Sequence, residues 1–290
     1  MELRQVEHFL AVVDQGSFTA AARASRIVQS ALSTSIRNLE RELGAALFER
    51  TTRRVTLSEA GRAFLPFARR VRTETGAAAE AVRAVTGLNR GRVAIGMIQW
   101  LGPVDLPREL ATFHREHPDI RLRVLNSPVD ELLERLRNGE LDLAYLAVDG
   151  TLPDDLVGRI VYREDLLLIT PPEHRLAERR QVRWAELNGE QFVDFAEGTA
   201  ITGIVRRVSA QLGLHRRVVG QVTQLDLQLA LVRNGLGVAI VQGTLATSTP
   251  GVAVAELTDP PVRWEVSLAS RAPGPTNPAA VALLDHLVPA

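Results

Sequence analysis

Residues 16–61 place the tightest constraint on what this chain can fold into. Gly16 breaks a preceding helix, and Ser17 can cap a new one that opens with Phe18-Thr19-Ala20-Ala21-Ala22. After a turn near Ser25 to Val28, the residues Leu32, Ile36, Leu39 and Leu43 recur at three- and four-residue spacing. That spacing predicts a helix over 29–43 with one side facing a core. Ala20, Ala21 and Ala22 are small enough to let two helices cross closely and steeply, as a helix-turn-helix requires. The polar side of the second helix carries Gln29, Ser30, Ser33, Thr34 and Arg37, and the first begins with Ser17 and Thr19. Such groups meet base edges and phosphates in a major groove, although any solvated helix shows polar residues outward. Gly44 ends the second helix, Leu47-Phe48 anchors a turn, and Glu49 to Leu57 reads as two short strands with a basic tip. Arg50, Arg53 and Arg54 in such a hairpin suit phosphate contact, which adds affinity without reading sequence.

Charge supports the same division. The 290-residue chain has no net charge, which taken whole argues against a polyanionic partner. Its first 92 residues, however, hold 15 arginines against 9 carboxylates, a surplus of six that the remainder cancels. The positive field therefore sits with the helix-turn-helix. All 34 basic residues are arginine, a usage spread over the whole chain that carries no functional message. The chain has no cysteine, which excludes disulfides, iron–sulfur clusters and thiol switches. No apolar run reaches the ~20 residues that span a bilayer, and the first residues lack a signal-peptide core, so a cytoplasmic protein is expected.

From Glu59 to about Thr86 the pattern becomes helical and alanine-rich, with Ser58 as cap. Ala60, Phe64, Phe67, Val71, Thr75, Ala78, Val82 and Val85 draw one narrow apolar seam, suited to pairing with another helix or to lying on its own domain. Pro66 is expected to kink this helix, since an interior proline costs ~3 kcal/mol or more. Beyond it, strands and helices alternate: strands near 92–97, 120–125 and 141–148 enclose helices near 107–116 and 129–138. A second unit has strands near 166–169, 191–195, 217–222, 238–241, 252–256 and 264–269, with helices near 201–212, 225–234 and 279–287. This order predicts an α/β domain with a mostly parallel sheet.

Ser17-Phe18-Thr19-Ala20-Ala21-Ala22, Gln29-Ser30-Ala31-Leu32-Ser33, Ile36, Leu39-Glu40, Leu43-Gly44, Leu47-Phe48-Glu49-Arg50 and Leu57-Ser58-Glu59-Ala60-Gly61 closely resemble the amino-terminal domain of LysR-type transcriptional regulators. Three positions depart from the family pattern: Val28 stands where a capping Ser is common, Ser30 where Pro is frequent, and Thr34 where Arg is frequent. The resemblance implies a winged helix-turn-helix over 1–58, a linker and dimerisation helix over 59–89, and an effector-binding domain over 90–290. It further implies the two-lobed fold of type 2 periplasmic binding proteins. Subdomain I would take about 92–162 with 266–290, subdomain II about 163–265, and Val161–Leu168 and Trp264–Ala269 would cross between them.

The implied partners are double-stranded operator DNA, further copies of the chain as a homodimer or homotetramer, RNA polymerase, and a small organic effector. Ligands in such folds sit beyond the carboxyl ends of strands, where helix N-termini also point. That places Gln99, Trp100 and Ser127 on one side of a pocket and Thr199, Thr202, Thr223 and Gln242 on the other. Thr199 and Ser127 equally suit capping the helices that follow them. Trp100 could belong to the core, and as a pocket wall it would make the site narrower and more apolar. Gln242 stands where the family commonly has Pro.

No catalytic, metal or cofactor constellation is legible. His114 and His117 lie one turn apart without a third ligand nearby, and Gly235 and Gly237 precede a strand where a dinucleotide fingerprint precedes a helix. A regulator without resident cofactor is expected. Two rivals remain: a DNA-binding architectural protein whose sensor has lost its ligand, and a solute-binding protein or enzyme on the same α/β fold.

Overall fold

The computed structural model describes residues 1–50, 55–85, 91–148 and 150–288. In the head, α1 (Leu3–Gln15) turns Val6, Phe9, Leu10 and Val12 inward and stops at Gly16, whose φ of 63° a side chain would resist. α2 (Phe18–Ala24) begins at Ser17, whose hydroxyl accepts from the Ala20 N–H. α3 (Gln29–Leu43) starts without a side-chain cap, because Val28 has no oxygen to offer. Leu32, Ile36 and Leu39 are fully buried, but Leu43 is 41% exposed, because its last turn has run past the edge of the core. β1 (Phe48–Arg50) pairs antiparallel with β2 (Val55–Leu57). The rings of Phe9, Phe18, Phe48 and Phe64 interlock with centroids 5.1–5.6 Å apart, the tilted and edge-on geometry that aromatic quadrupoles prefer.

The linker helix α4 (Glu59–Val85) continues through Pro66 as one helix of 27 residues. The single seam expected along it divides. Ala60, Phe64 and Val71 pack, together with Leu65 and the buried Ala68, onto the core of the head. Phe67 and Val82 instead stand 57% and 65% exposed. The physical reason is angular: Phe67 is one residue, about 100°, away from Ala68 around the helix.

The sensor begins with β3 (Arg92–Met97), α5 (Leu106–Glu116), β4 (Arg121–Asn126), α6 (Val129–Arg137) and β5 (Leu143–Leu146). β4 and β5 flank β3, all parallel. β6 (Leu156–Thr170) is a single strand of fifteen residues. After it come β7 (Gln181–Arg183), a 3-10 turn over 184–187, β8 (Gln191–Phe195), α7 (Ala200–Gln211), β9 (Arg217–Val222) and α8 (Leu225–Arg233). β10 (Ala239–Gln242), α9 (Gly243–Ser248), β11 (Ala253–Thr258), β12 (Arg263–Arg271) and α10 (Pro278–Leu287) complete the chain. The first half of β6 pairs with β12, which also joins β5; its second half pairs with β10 and β11. β8 and β9 pair in parallel, and Val193 and Val238 tie β8 to the chain entering β10. Two lobes thus share the long strands β6 and β12. β7, the 3-10 turn and α9 go beyond the elements expected from sequence, and β6 is far longer than expected. No helix among the described residues is long and apolar enough to cross a membrane.

Candidate nucleic-acid interface and effector cleft

α3 presents Gln29, Ser30, Thr34 and Arg37 to solvent, with Ser33 half-buried beside them; Thr19 on α2 is exposed. Arg37 donates to the Thr34 hydroxyl at 3.0 Å, which holds the guanidinium along the helix. The Ser17 hydroxyl is committed to the start of α2. Arg53, Arg54 and the side chain of Arg50 lie outside the described residues, so the wing tip expected from sequence is not placed.

The exposed face is rigidly backed. Glu40 on α3 accepts from Leu47 N at 2.8 Å, which fixes the turn entering the wing. Ser58 donates to Ala46 O at 2.6 Å and accepts from Gly61 N at 3.0 Å, so the same hydroxyl closes the wing and caps α4. A Cβ on Gly61 would fall 2.0 Å from Leu47 O; only glycine allows α4 this close. His8, which sequence reasoning passed over, is 8% exposed and hydrogen-bonds Ser35 of α3 through Nδ1 at 2.8 Å. Burial, then the charge of Arg4, pushes its pKa below that of a free imidazole, with Glu7 opposing.

In the sensor, a cavity of about 50 Å³ lies between the lobes. Gln99, Trp100 and Ser127 line it from one lobe, Thr199 and Gln242 from the other, and Trp264 of β12 borders it. Thr223 takes part through its backbone, because Gln99 Nε2 donates to the Thr223 carbonyl at 2.6 Å. Trp100 Nε1 donates to the Thr244 hydroxyl at 3.2 Å, and Thr244 N donates to Glu164 Oε2 at 2.6 Å. Two hydrogen bonds therefore close one lobe on the other. Thr244 and Glu164 were not among the expected site residues; Thr244 sits on the unforeseen α9, and Glu164 is in mid-strand.

Two capping expectations are corrected. Thr199 occupies the position before α7, but its side chain makes no cap. Its hydroxyl turns back, 3.1 Å from the Ala196 carbonyl and 2.9 Å from the hydroxyl of Thr202. Thr202 is buried behind the cavity wall and donates to Phe195 O at 3.0 Å. Ser127 does not cap α6, whose preceding residue is Pro128; it is buried in the cavity wall. Gln242 is 6% exposed at the end of β10, its side-chain oxygen buried without a hydrogen-bond partner. The N-termini of α6 and α7 both open at the cavity through Pro128 and Thr199, giving it partial positive charge.

Among the described residues no group of three His, Cys, Asp or Glu could hold a metal ion. His117, the candidate partner of His114, lies against the Phe113 ring with centroids 4.6 Å apart.

Comparison with known proteins agrees with this geometry. Residues 3–62 match the bacterial regulatory helix-turn-helix protein, lysR family, and residues 86–290 match the LysR substrate binding domain. The HTH-type transcriptional regulator ShiR of Corynebacterium glutamicum is 35% identical over 243 residues, covering 83% of this chain and 82% of its own. The transcriptional dual regulator GltC of Bacillus subtilis is 32% identical over 251 residues, 86% of this chain and 84% of its own. A full-length OxyR variant from Pseudomonas aeruginosa superposes with a TM-score of 0.72 at 23% identity, covering 99% of this chain and 94% of the other, a likeness of fold. The chain belongs to the LysR family and is a DNA-binding transcriptional regulator, not an enzyme, with an effector-binding domain behind its helix-turn-helix head.

Proposed function

We propose that α3 enters the major groove with Gln29 and Ser33 reading bases, Ser30 and Thr34 adjoining them, and Arg37, Arg50, Arg53 and Arg54 holding phosphates. The exposure of Gln29, Ser30, Thr34 and Arg37 on one rigidly backed helix supports this assignment. Ser17 and Thr19 would support the N-terminus of α2 at the backbone. Two heads would engage half-sites a helical turn or more apart. Self-association as a dimer, and of dimers as a tetramer, would use α4, where Phe67 and Val82 are exposed, and the sensor lobes. The protein would act in the bacterial cytoplasm, next to RNA polymerase at its promoters, and needs no resident cofactor.

The effector is a small organic molecule seated between the lobes, in contact with Gln99, Trp100, Ser127, Thr199 and Gln242, with Thr202 and Thr223 behind them. The observation that carries this is the pair of cross-lobe bonds, Gln99 to Thr223 and Trp100 to Thr244, around a cavity of about 50 Å³. A ligand too large for that space must break them, and its differential affinity for the open and closed arrangements sets how far it shifts the protein. The helix N-termini at the cavity favour an acceptor or an anion, so small organic acids are the first compounds to try.

The test uses duplexes selected in vitro by the full-length protein. Organic acids are titrated while tryptophan emission and duplex anisotropy are followed together. One acid should change both, and Trp100→Leu should weaken that response without abolishing DNA binding. A response to an acid that survives Trp100→Leu unchanged would remove the cleft from this role. No response to any acid would favour a ligand-independent architectural protein.

A further inference from the structure

We propose that the cleft selects hydroxy acids: a carboxylate seats on the N-terminus of α7, and a hydroxyl lies between the Trp264 indole and the Gln242 amide. The inference rests on the cleft being the effector site and adds the chemical class of the effector and the residues that choose it.

On the strand side of the cavity, two lining side chains have polar atoms without partners. Gln242 and Trp264 are 6% and 2% exposed. Gln242 Oε1 and Trp264 Nε1 are buried and make no hydrogen bond. Strand register sets them side by side in purpose as well as in place. Gln242 is opposite Leu166 of β6, and Trp264 is opposite Glu164, two positions earlier on the same strand. Residues two apart on a strand, with their partners across the ladder, emerge on one face. Both side chains therefore leave the crossing strands in the same direction. Tyr162 Oη and Glu164 Oε1, on that face of β6, are also buried without partners, so neither satisfies the indole.

Buried polar groups are nearly always paired, and each one left over weakens the fold. Here one is a donor, the other an acceptor, and they share a cavity. A hydroxyl serves both at once: its oxygen accepts from Trp264 Nε1 and its proton is donated to Gln242 Oε1. A carboxylate has no proton to give the amide oxygen, and an ammonium group has no lone pair for the indole. The carboxylate of Glu164, opposite Trp264, further disfavours an anion at this end of the cavity.

The other wall supplies the seat for the acid. Ala200 and Ile201, the first residues of α7, line the cavity, and no side chain caps the helix. With the Thr199 hydroxyl turned back towards Ala196 O and Thr202, the first N–H groups of this twelve-residue helix are left for a ligand. The first turn of α7 holds no acidic residue, whereas that of α6 holds Asp130 and Glu131. Of the two helix starts at the cavity, α7 is thus the better place for an anion. The ligand is oriented by these two ends, acid towards α7 and hydroxyl towards the end of β10. Both ends lie on one cavity of about 50 Å³, so a short carbon skeleton separates them.

Calorimetric titration of the full-length protein tests this with matched sets of acids. Propanoate, butanoate, cyclohexanecarboxylate and benzoate are each compared with their hydroxy and amino derivatives. At least one hydroxy acid should bind about tenfold or more tighter than its unsubstituted acid, because a site built around a hydroxyl rejects the analogue lacking it. In Gln242→Met and in Trp264→Phe that advantage should shrink to about threefold or less. Where Trp264→Phe fails to fold, the Gln242 variant decides alone. Without ligand, Gln242→Met should melt no lower than the wild-type protein, since it removes an unpaired group and little volume. A lower melting temperature, or failure to fold, would make the amide structural and overturn the assignment. Hydroxy acids that bind no better than unsubstituted ones would also overturn it, leaving water as the partner of both groups. An amino derivative that binds tighter than its hydroxy counterpart would do the same. If hydroxy acids gain nothing while an unsubstituted acid still gives the Trp100-dependent response, the cleft assignment stands and only the selection falls. If no acid of any set binds, both fall together.

Discussion

The head and the sensor solve opposite problems. The head has a single small core in which four phenylalanine rings meet, and its working side chains lie outside on a helix held by Glu40 and His8. The sensor places its working side chains in a joint. Gln99 meets Thr223 and Trp100 meets Thr244 across 124 and 144 positions of sequence, and the long strands β6 and β12 run through both lobes. A packed core resists continuous deformation, whereas a joint closed by two hydrogen bonds can open at small cost. The head is therefore built to be moved as a unit, and the sensor to change shape.

That contrast can be broken or sharpened by experiment. The largest effect is expected from Phe9→Ala, which removes a fully buried ring at the centre of the head and should cost about 3–5 kcal/mol. Calorimetry should show the transition of the head collapsing while that of the sensor stays; a single joint shift would mean that the two fold as one. Next comes Gln29→Ala, expected to cost about 1–3 kcal/mol on a selected duplex and to leave binding to random duplex unchanged. Equal losses on both in an anisotropy titration would take base reading away from Gln29. Trp100→Phe removes one of the two bonds that close the joint, about 0.5–1.5 kcal/mol. Trp184 and Trp264, now 0% and 2% exposed, would be the only indoles left. Acrylamide should quench Trp264 more readily than in the parent; unchanged quenching would mean that the lobes are held by something else.

The smallest effect is a dependence on pH. His8 has a folded pKa below the 6.5 of a free imidazole, so the folded head binds fewer protons than the unfolded one. Its stability should be complete above pH 6.5 and should fall as the pH drops through that value towards the lower folded one. His8→Gln should flatten the dependence in thermal melts of the head, and an unaltered slope would assign it to other groups.

Legibility in the sequence follows the range of the contacts. α3 was readable to the residue because Gly44, the spacing of Leu32, Ile36 and Leu39, and the preceding turn are all local signals. Leu43 and Phe67 misled because periodicity reports which side of a helix is apolar, not where the partner surface ends. In the sensor, β8 and β9 match their expected spans as apolar-rich strands between turn residues. The apolar run alone reveals only 166–169 of β6, because Arg159, Arg163, Glu164 and Asp165 interrupt the pattern where the strand leaves one lobe for the other; the family resemblance extends it to Val161–Leu168, still short of Leu156–Thr170. α9 is six residues rich in threonine, a poor helix by propensity, and Glu164 at Thr244 N together with the Thr247 hydroxyl on Gly243 O helps hold it. The cleft-facing residues Gln99, Trp100, Ser127, Thr199 and Gln242 could be nominated from strand ends and helix starts. Thr244 and Glu164 could not, because nothing near them in the chain announces a contact made from the other lobe.

The missing side chain at Gly61 has a mechanical consequence. With the carbonyl of Leu47 lodged where a methyl group would be, the first turn of the linker and the root of the wing form one shoulder without slack. Torque applied anywhere along that shaft arrives at the reading helix as a change of angle instead of dissipating at the junction. Gly61→Ala should therefore leave a protein that still folds its sensor but aims its head badly.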